Sequence, residues 1–229
     1  ESHRQVTRAK RQDNPVPVVA IVGYTNAGKS TLLNTLTAAN VLEEDKLFAT
    51  LDPTTRNYKL PNGQEVLLTD TVGFIRKLPH HLIDAFRSTL EEAKYSDIII
   101  HVVDCSNPSM DKNVHAVYET LKNLEVKDKI IITVFNKIDK VEEKPVLRDF
   151  NADYTVSAAI KKNIGLNEIN DAIEAALKSM RVMVEKVYDY SEAGKIGIIR
   201  KYGQVLSEEY KEDGIHLKAY VPSQIMDRI

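Results

Sequence analysis

The stretch Gly23-Tyr24-Thr25-Asn26-Ala27-Gly28-Lys29-Ser30 decides the fold of this chain. It has the form GxxxxGKS and follows a mostly apolar run, residues 16–22, that predicts a buried parallel strand. Residues 30–39 then predict a helix. A glycine loop between a strand and a helix turns backbone N–H groups and the positive helix end toward one point, which suits a phosphate. The pattern therefore predicts a phosphate-binding loop, and the alternative is a glycine turn before a solvated lysine.

Individual residues of this loop have predicted roles. Gly23 and Gly28 permit close backbone approach, and Lys29 is expected to reach the β- and γ-phosphates. The hydroxyl of Ser30 is expected to bind Mg²⁺. Because phosphoryl transfer depends on positioning and charge stabilisation, Lys29 is also assigned a catalytic role. Further nucleotide contacts are predicted at Asn26, Ala27 and Thr31.

A second motif, Asn136-Lys137-Ile138-Asp139, follows another apolar run at residues 129–135. The Asp139 carboxylate can accept hydrogen bonds from guanine N1–H and from the 2-amino group, whereas adenine lacks both donors. Asn136 is expected to support the loop and the base edge, and the stem of Lys137 to cover the ring. The NKxD pattern alone is also compatible with a polar strand-to-helix turn. Downstream of a phosphate loop, it predicts guanine recognition.

A weaker signal lies at Thr155-Val156-Ser157-Ala158. This segment is predicted to form the second guanine loop, in which backbone N–H groups at Ser157 and Ala158 meet the base oxygen. The prediction depends on the two stronger motifs.

The catalytic region is predicted between the two motifs, at Asp70-Thr71-Val72-Gly73, which ends a strand beginning near residue 64. Asp70 is expected to hold Mg²⁺ through a water, and the Gly73 N–H to sense the γ-phosphate in a catalytic role. The alternative is a chance aspartate in a turn. Phe74 follows where many GTPases place a glutamine that orients the attacking water. One interpretation makes Phe74 a packing residue under the switch. The other is that the backbone, another switch residue or a partner positions the water, and the two interpretations are compatible.

A switch threonine is expected in the segment from Phe48 to Arg56, with contacts to Mg²⁺ and to the γ-phosphate. Thr50, Thr54 and Thr55 compete for this role. Thr50 is favoured because it lies midway between the predicted metal ligands Ser30 and Asp70. Neighbouring nucleotide contacts are predicted at Phe48 and Ala49. Candidates for an internal arginine finger are Arg56 and Arg76, and the alternative for each is a surface charge.

Four segments together, GYTNAGKS, FATLDPTTR, DTVGFIRKLP and NKID, resemble the HflX family of ribosome-associated translational GTPases. The resemblance runs from about Arg4 to Pro222. It implies that the FAT threonine is Thr50. It also implies that the phosphate-loop, switch II and guanine residues of the family fall on Lys29, Ser30, Asp70, Gly73, Asn136, Lys137 and Asp139.

The resemblance also implies a function. HflX proteins hydrolyse GTP with Mg²⁺, bind the large ribosomal subunit and separate or rescue ribosomes under stress. They carry a sizeable N-terminal domain and a helical segment before the GTPase module. This chain starts at Glu1 without a methionine, and Arg4–Arg11 resembles the end of that segment. We therefore expect a fragment, in which functions of the N-terminal domain are in doubt. The rival hypothesis is a non-ribosomal GTP-sensing switch with negligible hydrolysis.

Composition is typical of a soluble globular protein, with 229 residues, of which 43% are hydrophobic and 28% charged. One cysteine, Cys105, allows no internal disulfide, which is expected for the cytoplasm, and we expect it to be buried rather than reactive. No apolar run approaches 18 residues, so no membrane span is predicted. The net charge of −2 does not argue for or against RNA binding. We expect a monomer.

The predicted fold class is α/β, a three-layer P-loop GTPase sandwich with a mainly parallel six-stranded sheet and a small α+β C-terminal domain. Strands two and three are predicted to form a hairpin around residues 61–64, and the other crossovers contain helical patterns. We predict a linker end at 1–14, a GTPase domain at 15–181 and a βαββ domain at 182–229. In the last domain, strands are predicted at 184–190, 205–211 and 215–221, and a helix at 194–202.

Overall fold

The structure, a computed structural model, describes residues 16–37, 54–71, 93–141 and 147–229. The chain divides into two compact units. One is formed by Pro17–Ala176, and the other includes Leu177–Ile229. The strands of the first unit are β1 (Val18–Gly23), β2 (Thr54–Lys59), β3 (Glu65–Asp70), β4 (Ile98–Asp104), β5 (Ile130–Asn136) and β6 (Tyr154–Ser157). Its described helices are α1 (Lys29–Thr37), α2 (Met110–Asn123) and α3, which begins in this unit and spans Leu166–Ser179.

The six strands of the first unit form one sheet in the order β2-β3-β1-β4-β5-β6. All neighbouring pairs are parallel except β2 and β3, which are antiparallel. The β2–β3 connection is a tight turn in which Gly63 has a φ of 87° and Asn62 Oδ1 accepts a hydrogen bond from Gln64 N. The predicted mainly parallel sheet and its hairpin are confirmed.

Apolar runs explain why the central strands are buried. All six residues of β1 are buried, as are the first six of β4, which fits strands covered on both faces. The apolar stripe of α3 also follows the prediction, since Ile169, Ile173 and Leu177 are buried while Leu166 is half-buried. This core fixes the strand ends from which the candidate site is built.

The elements of the second unit are β7 (Arg181–Tyr188), α4 (Ala193–Tyr202), β8 (Gln204–Lys211) and β9 (Gly214–Pro222). Its three strands form an antiparallel sheet in the order β7-β9-β8. The predicted strand at 184–190 is wrong at both ends. Strand β7 starts at Arg181, and the chain leaves it at Asp189, whose side chain forms a capping box with Glu192. This cap ends the strand because it begins a short 3₁₀ helix.

Buried side chains of this unit come from α4, from the sheet and from a C-terminal 3₁₀ helix, Ser223–Arg228. They are Tyr188, Ile196, Ile199, Ile215, Leu217, Ala219, Val221 and Ile225. The four predicted elements are present, in the βαββ order.

Some predicted features lie outside the described residues. These are the linker end at 1–14, the switch segment from Phe48 to Pro53 and the helical pattern that contains Leu82 and Phe86. Within the described part of the chain, no helix is both long enough and apolar enough to cross a membrane.

Candidate nucleotide-binding site

The candidate site lies at the carboxyl ends of parallel strands. Because β1, β3, β4, β5 and β6 are parallel, the loops that follow them share one edge of the sheet. In open α/β sheets this edge is where ligands bind. Both described motifs, GxxxxGKS after β1 and NKID after β5, lie there.

The two glycines of the first loop are required by the packing of the protein itself. Gly23 has a φ of 154°, and a Cβ at this position would lie 2.3 Å from the carbonyl oxygen of Val102 in β4. Gly28 has a φ of 108°, and its Cβ would lie 2.3 Å from Nδ2 of Asn136. Both distances are far below a tolerable contact. The loop therefore packs directly against β4 and against the second motif. The need for glycine at these two positions, predicted from close approach of the phosphate alone, also comes from this packing.

Buried Lys29 and Asp70 and half-buried Ser30 form a polar group where the phosphate loop meets the end of β3. Ser30 Oγ donates a hydrogen bond to Asp70 Oδ2 at 2.7 Å. Lys29 is 7% exposed, and its Nζ lies 3.4 Å from the carbonyl oxygen of Tyr24. Burial lowers the pKa of Lys29, and the charge of Asp70 opposes this shift. Burial likewise raises the pKa of Asp70, against the charge of Lys29 and the hydrogen bond from Ser30.

This group fits a hard cation. Asp70 Oδ1 is buried and has no hydrogen-bond partner within the described ranges, although its second oxygen is bonded to Ser30. A hydroxyl and a carboxylate side by side are oxygen ligands of the kind that Mg²⁺ prefers. Mg²⁺ also needs few protein ligands, because it keeps several waters. Within the described residues, no group of three or more His, Cys, Asp or Glu side chains could hold a metal ion.

Asn136 connects three segments of the site. Its Nδ2 donates to the carbonyl oxygen of Ala27 at 2.9 Å, and its Oδ1 accepts from the Ile160 N–H at 3.1 Å. The side chain is 4% exposed, so both bonds are sheltered from water. Asn136 thus fixes the phosphate loop and the loop after β6 relative to β5. Asn136 was predicted to support the loop and the base edge. In this structure both of its side-chain hydrogen bonds go to backbone groups of the protein.

Lys137 forms a second connection to the phosphate loop. Its Nζ donates to Asp104 Oδ2 at 2.7 Å and to the carbonyl oxygen of Asn26 at 2.8 Å. Lys137 and Asn26 both have left-handed backbones, with φ of 65° and 62°. Asp104 is not among the residues predicted from the sequence. A signal for Asp104 was available, since it is a polar residue at the end of a buried strand. Because β4 and β5 are parallel neighbours, Asp104 lies opposite Asn136, next to the NKID motif.

Asp139 lies on a short 3₁₀ helix, Ile138–Lys140, directly after Lys137. Its Oδ2 is 3.1 Å from Nζ of Lys162. Lys162 is not among the predicted site residues. The hydrogen bond from Lys162 is the main cause that lowers the pKa of Asp139. No sequence pattern pointed to Lys162, because its position depends on the conformation of the loop after β6.

The loop after β6 lies beside the NKID motif, but its hydrogen bonds differ from expectation. Ala158 N–H donates to the carbonyl oxygen of Phe135 at 2.8 Å. This is the donor that was assigned to the base oxygen, so that contact stays a prediction and requires a change in this loop. Ser157 is exposed at the end of β6.

Cys105 is half-buried beside the same motif. Its Sγ donates to the carbonyl oxygen of Asn136 at 2.8 Å, and burial raises its pKa. A raised thiol pKa reduces the thiolate fraction and with it the reactivity. The structure therefore agrees with the expected lack of reactivity, although the side chain is less buried than expected.

Two of the three candidate switch threonines lie in β2. The hydroxyl of Thr55 is 3.0 Å from that of Thr69 in β3, so it is hydrogen-bonded within the sheet. Thr54 is the first residue of β2, opposite Asp70 in the pairing register. Thr31 is half-buried in the first turn of α1. Several predicted site residues lie outside the described residues, namely Phe48, Ala49, Thr50, Gly73, Phe74 and Arg76.

Comparison with known proteins agrees with this geometry. A model of the 50S ribosome-binding GTPase family matches residues 18–137, which contain the phosphate loop, Asp70 and the first two residues of NKID. The chain belongs to this family. Its fold agrees, since the six-stranded sheet is that of P-loop GTPases.

Relatives within this GTPase family carry the name GTPase HflX. The protein from Lacrimispora saccharolytica is 64% identical over 97% of this chain, and that from Caldanaerobacter subterraneus subsp. tengcongensis is 48% identical over 100% of it. The predicted resemblance to HflX is therefore confirmed. The chain spans 53% of the length of each of these two relatives.

A solved structure shows the same fold for a GTPase-type domain. A GTP-binding protein from Sulfolobus solfataricus, solved in complex with GDP, superimposes with a TM-score of 0.58 at 28% identity. The match covers 76% of this chain and 55% of that protein.

Proposed function

We propose that this chain binds GTP together with Mg²⁺ and hydrolyses it to GDP and phosphate. The observation that carries the proposal is the connection between the two motifs. Asn136 and Lys137, from the predicted guanine motif, donate to the carbonyl oxygens of Ala27 and Asn26 in the predicted phosphate loop. A nucleotide has its base and phosphates at a fixed span, so a site that binds both ends needs its two loops held at a fixed distance.

Each residue then has a proposed role. Lys29 stabilises negative charge on the phosphates, and Asp139 accepts hydrogen bonds from the guanine edge. Ser30 and Asp70 hold Mg²⁺, which when bound shields the phosphate oxygens. Thr50 and Gly73 remain the proposed contacts to the γ-phosphate, alongside the backbone of the phosphate loop.

Family membership supports a partner as well. We infer that the chain acts on the large ribosomal subunit, as part of a protein that separates or rescues ribosomes under stress, and hence that it works in the cytoplasm. The support is the description of the matched family as 50S ribosome-binding and the name of the relatives. The rival remains a GTP-sensing switch that hydrolyses negligibly and serves another complex.

Phosphate release measured with and without large ribosomal subunits tests both parts of the proposal. We expect slow release by the chain alone and faster release with subunits, because partners that complete such sites contribute about 10³–10⁵-fold. The gain should be smaller here, since the chain spans half of its relatives. Co-sedimentation with the subunits, in a GTP analogue and in GDP, measures the interaction directly.

A Lys29→Ala variant is the control, because it should lose GTP binding and with it both activities. GTP binding without hydrolysis in either mixture would favour the rival switch. Hydrolysis that subunits leave unchanged, together with absent co-sedimentation, would contradict the ribosomal part alone.

A further inference from the structure

Lys162 lies against the carboxylate that is proposed to recognise guanine. Its Nζ is 3.1 Å from Asp139 Oδ2, which makes an ion pair between two different loops of the site. The Lys162 side chain is 59% exposed and that of Asp139 23% exposed, so the ion pair is partly open to solvent.

The backbone that carries Lys162 is held in place on both sides. The Ile160 N–H donates to Asn136 Oδ1 at 3.1 Å, which ties the start of the 3₁₀ helix Ile160–Lys162 to β5. Lys162 N–H donates to the carbonyl oxygen of Ala159 at 2.8 Å. Ala159 and Ile164 exchange two backbone hydrogen bonds, of 3.1 and 3.2 Å, which close the loop around the lysine. Its approach to Asp139 is therefore built into the fold of this loop.

The charges around Asp139 favour its ionised form. Lys162 contributes a hydrogen bond and its charge, and Lys140, on the same 3₁₀ helix as Asp139, contributes a smaller effect. The thiol of Cys105 also lies near this carboxylate. Lys162 has the largest influence on Asp139 and comes from a separate segment, so it can be removed without touching the NKID motif.

We propose that Lys162 is a positioning residue for guanine recognition, which fixes the Asp139 carboxylate so that both oxygens face the base edge. A carboxylate offers about four acceptor sites, so the lysine and the base can be bound together. The inference rests on the proposed function, and it extends that function to a residue outside the recognised motifs.

Inosine diphosphate provides the discriminating measurement, because it differs from GDP only by lacking the 2-amino group, which would donate a hydrogen bond to Asp139. Dissociation constants for both nucleotides are measured on the full chain and on its Lys162→Met variant. We expect the substitution to weaken GDP binding about two- to fivefold, as for a partly exposed ion pair. Inosine diphosphate should lose less, so the preference for GDP over inosine diphosphate should fall.

Two further variants complete the test. Lys162→Arg keeps a donor with a positive charge and should restore most of the preference. Lys112→Met removes the same charge from the exposed first turn of α2 and should leave both dissociation constants unchanged. Loss of affinity caused by general damage to the loop would weaken both nucleotides equally, which a positioning role does not predict.

Three results would overturn the inference: an unchanged preference in Lys162→Met, an equal loss for both nucleotides, or tighter GDP binding. The last result would mean that the lysine competes with the base. Failure of the proposed function is distinguishable, because the unsubstituted chain would then bind GDP no better than ADP.

Discussion

Lys137 illustrates how a single side chain can organise the candidate site. Its ammonium lies between the carbonyl oxygen of Asn26 and the carboxylate of Asp104, so the phosphate loop and the end of β4 meet at one charge. Asp104 is in turn held by Ser106, whose N–H and hydroxyl both donate to Oδ1. The aspartate is therefore fixed before it binds the lysine, which reduces the entropy lost in forming the pair.

Asp104→Asn should weaken guanine nucleotide binding roughly tenfold, because the one side-chain oxygen of asparagine cannot serve both Ser106 and Lys137, so the ion pair with Lys137 is lost. The asparagine keeps an oxygen for Ser106, so the turn should persist. The measurement is the dissociation constant for GDP. Asp111→Asn is the control, since it removes the same charge from the exposed first turn of α2. Equal affinity of the two variants would show that Asp104 does not act through Lys137.

At the level of elements, the strands were predictable from apolar runs. Such runs mark β1, β4 and β5, and the turn at residues 61–64 marks the β2–β3 hairpin, because these signals are local. A polar strand end marks Asp104 as a candidate, but its contact with Lys137 and the contact of Lys162 with Asp139 were not predictable from local signals. They depend on which strand ends become neighbours and on how the loop after β6 folds, and neither is encoded in a short spacing.

In the second unit, the bounds of β7 were also not predictable from apolar runs. Its described residues are mostly exposed, so the strand lacks the apolar alternation that would have marked its start at Arg181. Its end is set by the Asp189 cap, a local polar signal that the apolar pattern hid.

Tyr188, at the end of β7, provides a test of packing in this unit. Its side chain is fully buried, and its hydroxyl has no hydrogen-bond partner within the described part of the chain. A buried hydroxyl without a partner costs free energy in the folded state, so Tyr188→Phe should leave stability unchanged or raise it by up to about 1 kcal/mol. The measurement is urea-induced unfolding.

Tyr190→Phe is the matched comparison, because the Tyr190 hydroxyl donates to the carbonyl oxygen of Lys211 at 2.7 Å. This second variant should lose about 1 kcal/mol. A larger loss from Tyr188→Phe than from Tyr190→Phe would mean that the buried hydroxyl is bonded after all.

On the scale of the whole molecule, stability should depend on pH through a buried histidine. His101 lies in the central strand β4 and is 1% exposed, and its Nδ1 has no hydrogen-bond partner among the described residues. Burial lowers the pKa of His101 to about 4, against the opposing charge of Asp149. The ring is therefore neutral in the folded protein at neutral pH.

The sign of the effect follows from proton uptake. Between the unfolded pKa of 6.5 and the folded pKa of about 4, the unfolded chain binds more protons, so the folded state loses stability as the pH falls. From pH 7 to pH 4, His101 should lower the free energy of unfolding by about 3 kcal/mol. Well below pH 4, where both states carry the proton, its contribution should be constant.

Urea-induced unfolding across this pH range, in the unsubstituted chain and in His101→Phe, measures that contribution as a difference. His115→Phe serves as the control, because His115 is exposed on α2. The same pH dependence in the unsubstituted chain and in His101→Phe would contradict the assignment.

The central claim is that the two connected loops form one guanine nucleotide site, with Asp139 as the group that selects the base. Competition between GTP and xanthosine triphosphate, in the unsubstituted chain and in Asp139→Asn, tests this claim most directly. The amide reverses the donor pattern at the base edge, so the variant should bind GTP more weakly and should prefer xanthosine triphosphate. Unchanged preference for GTP in Asp139→Asn would contradict the account.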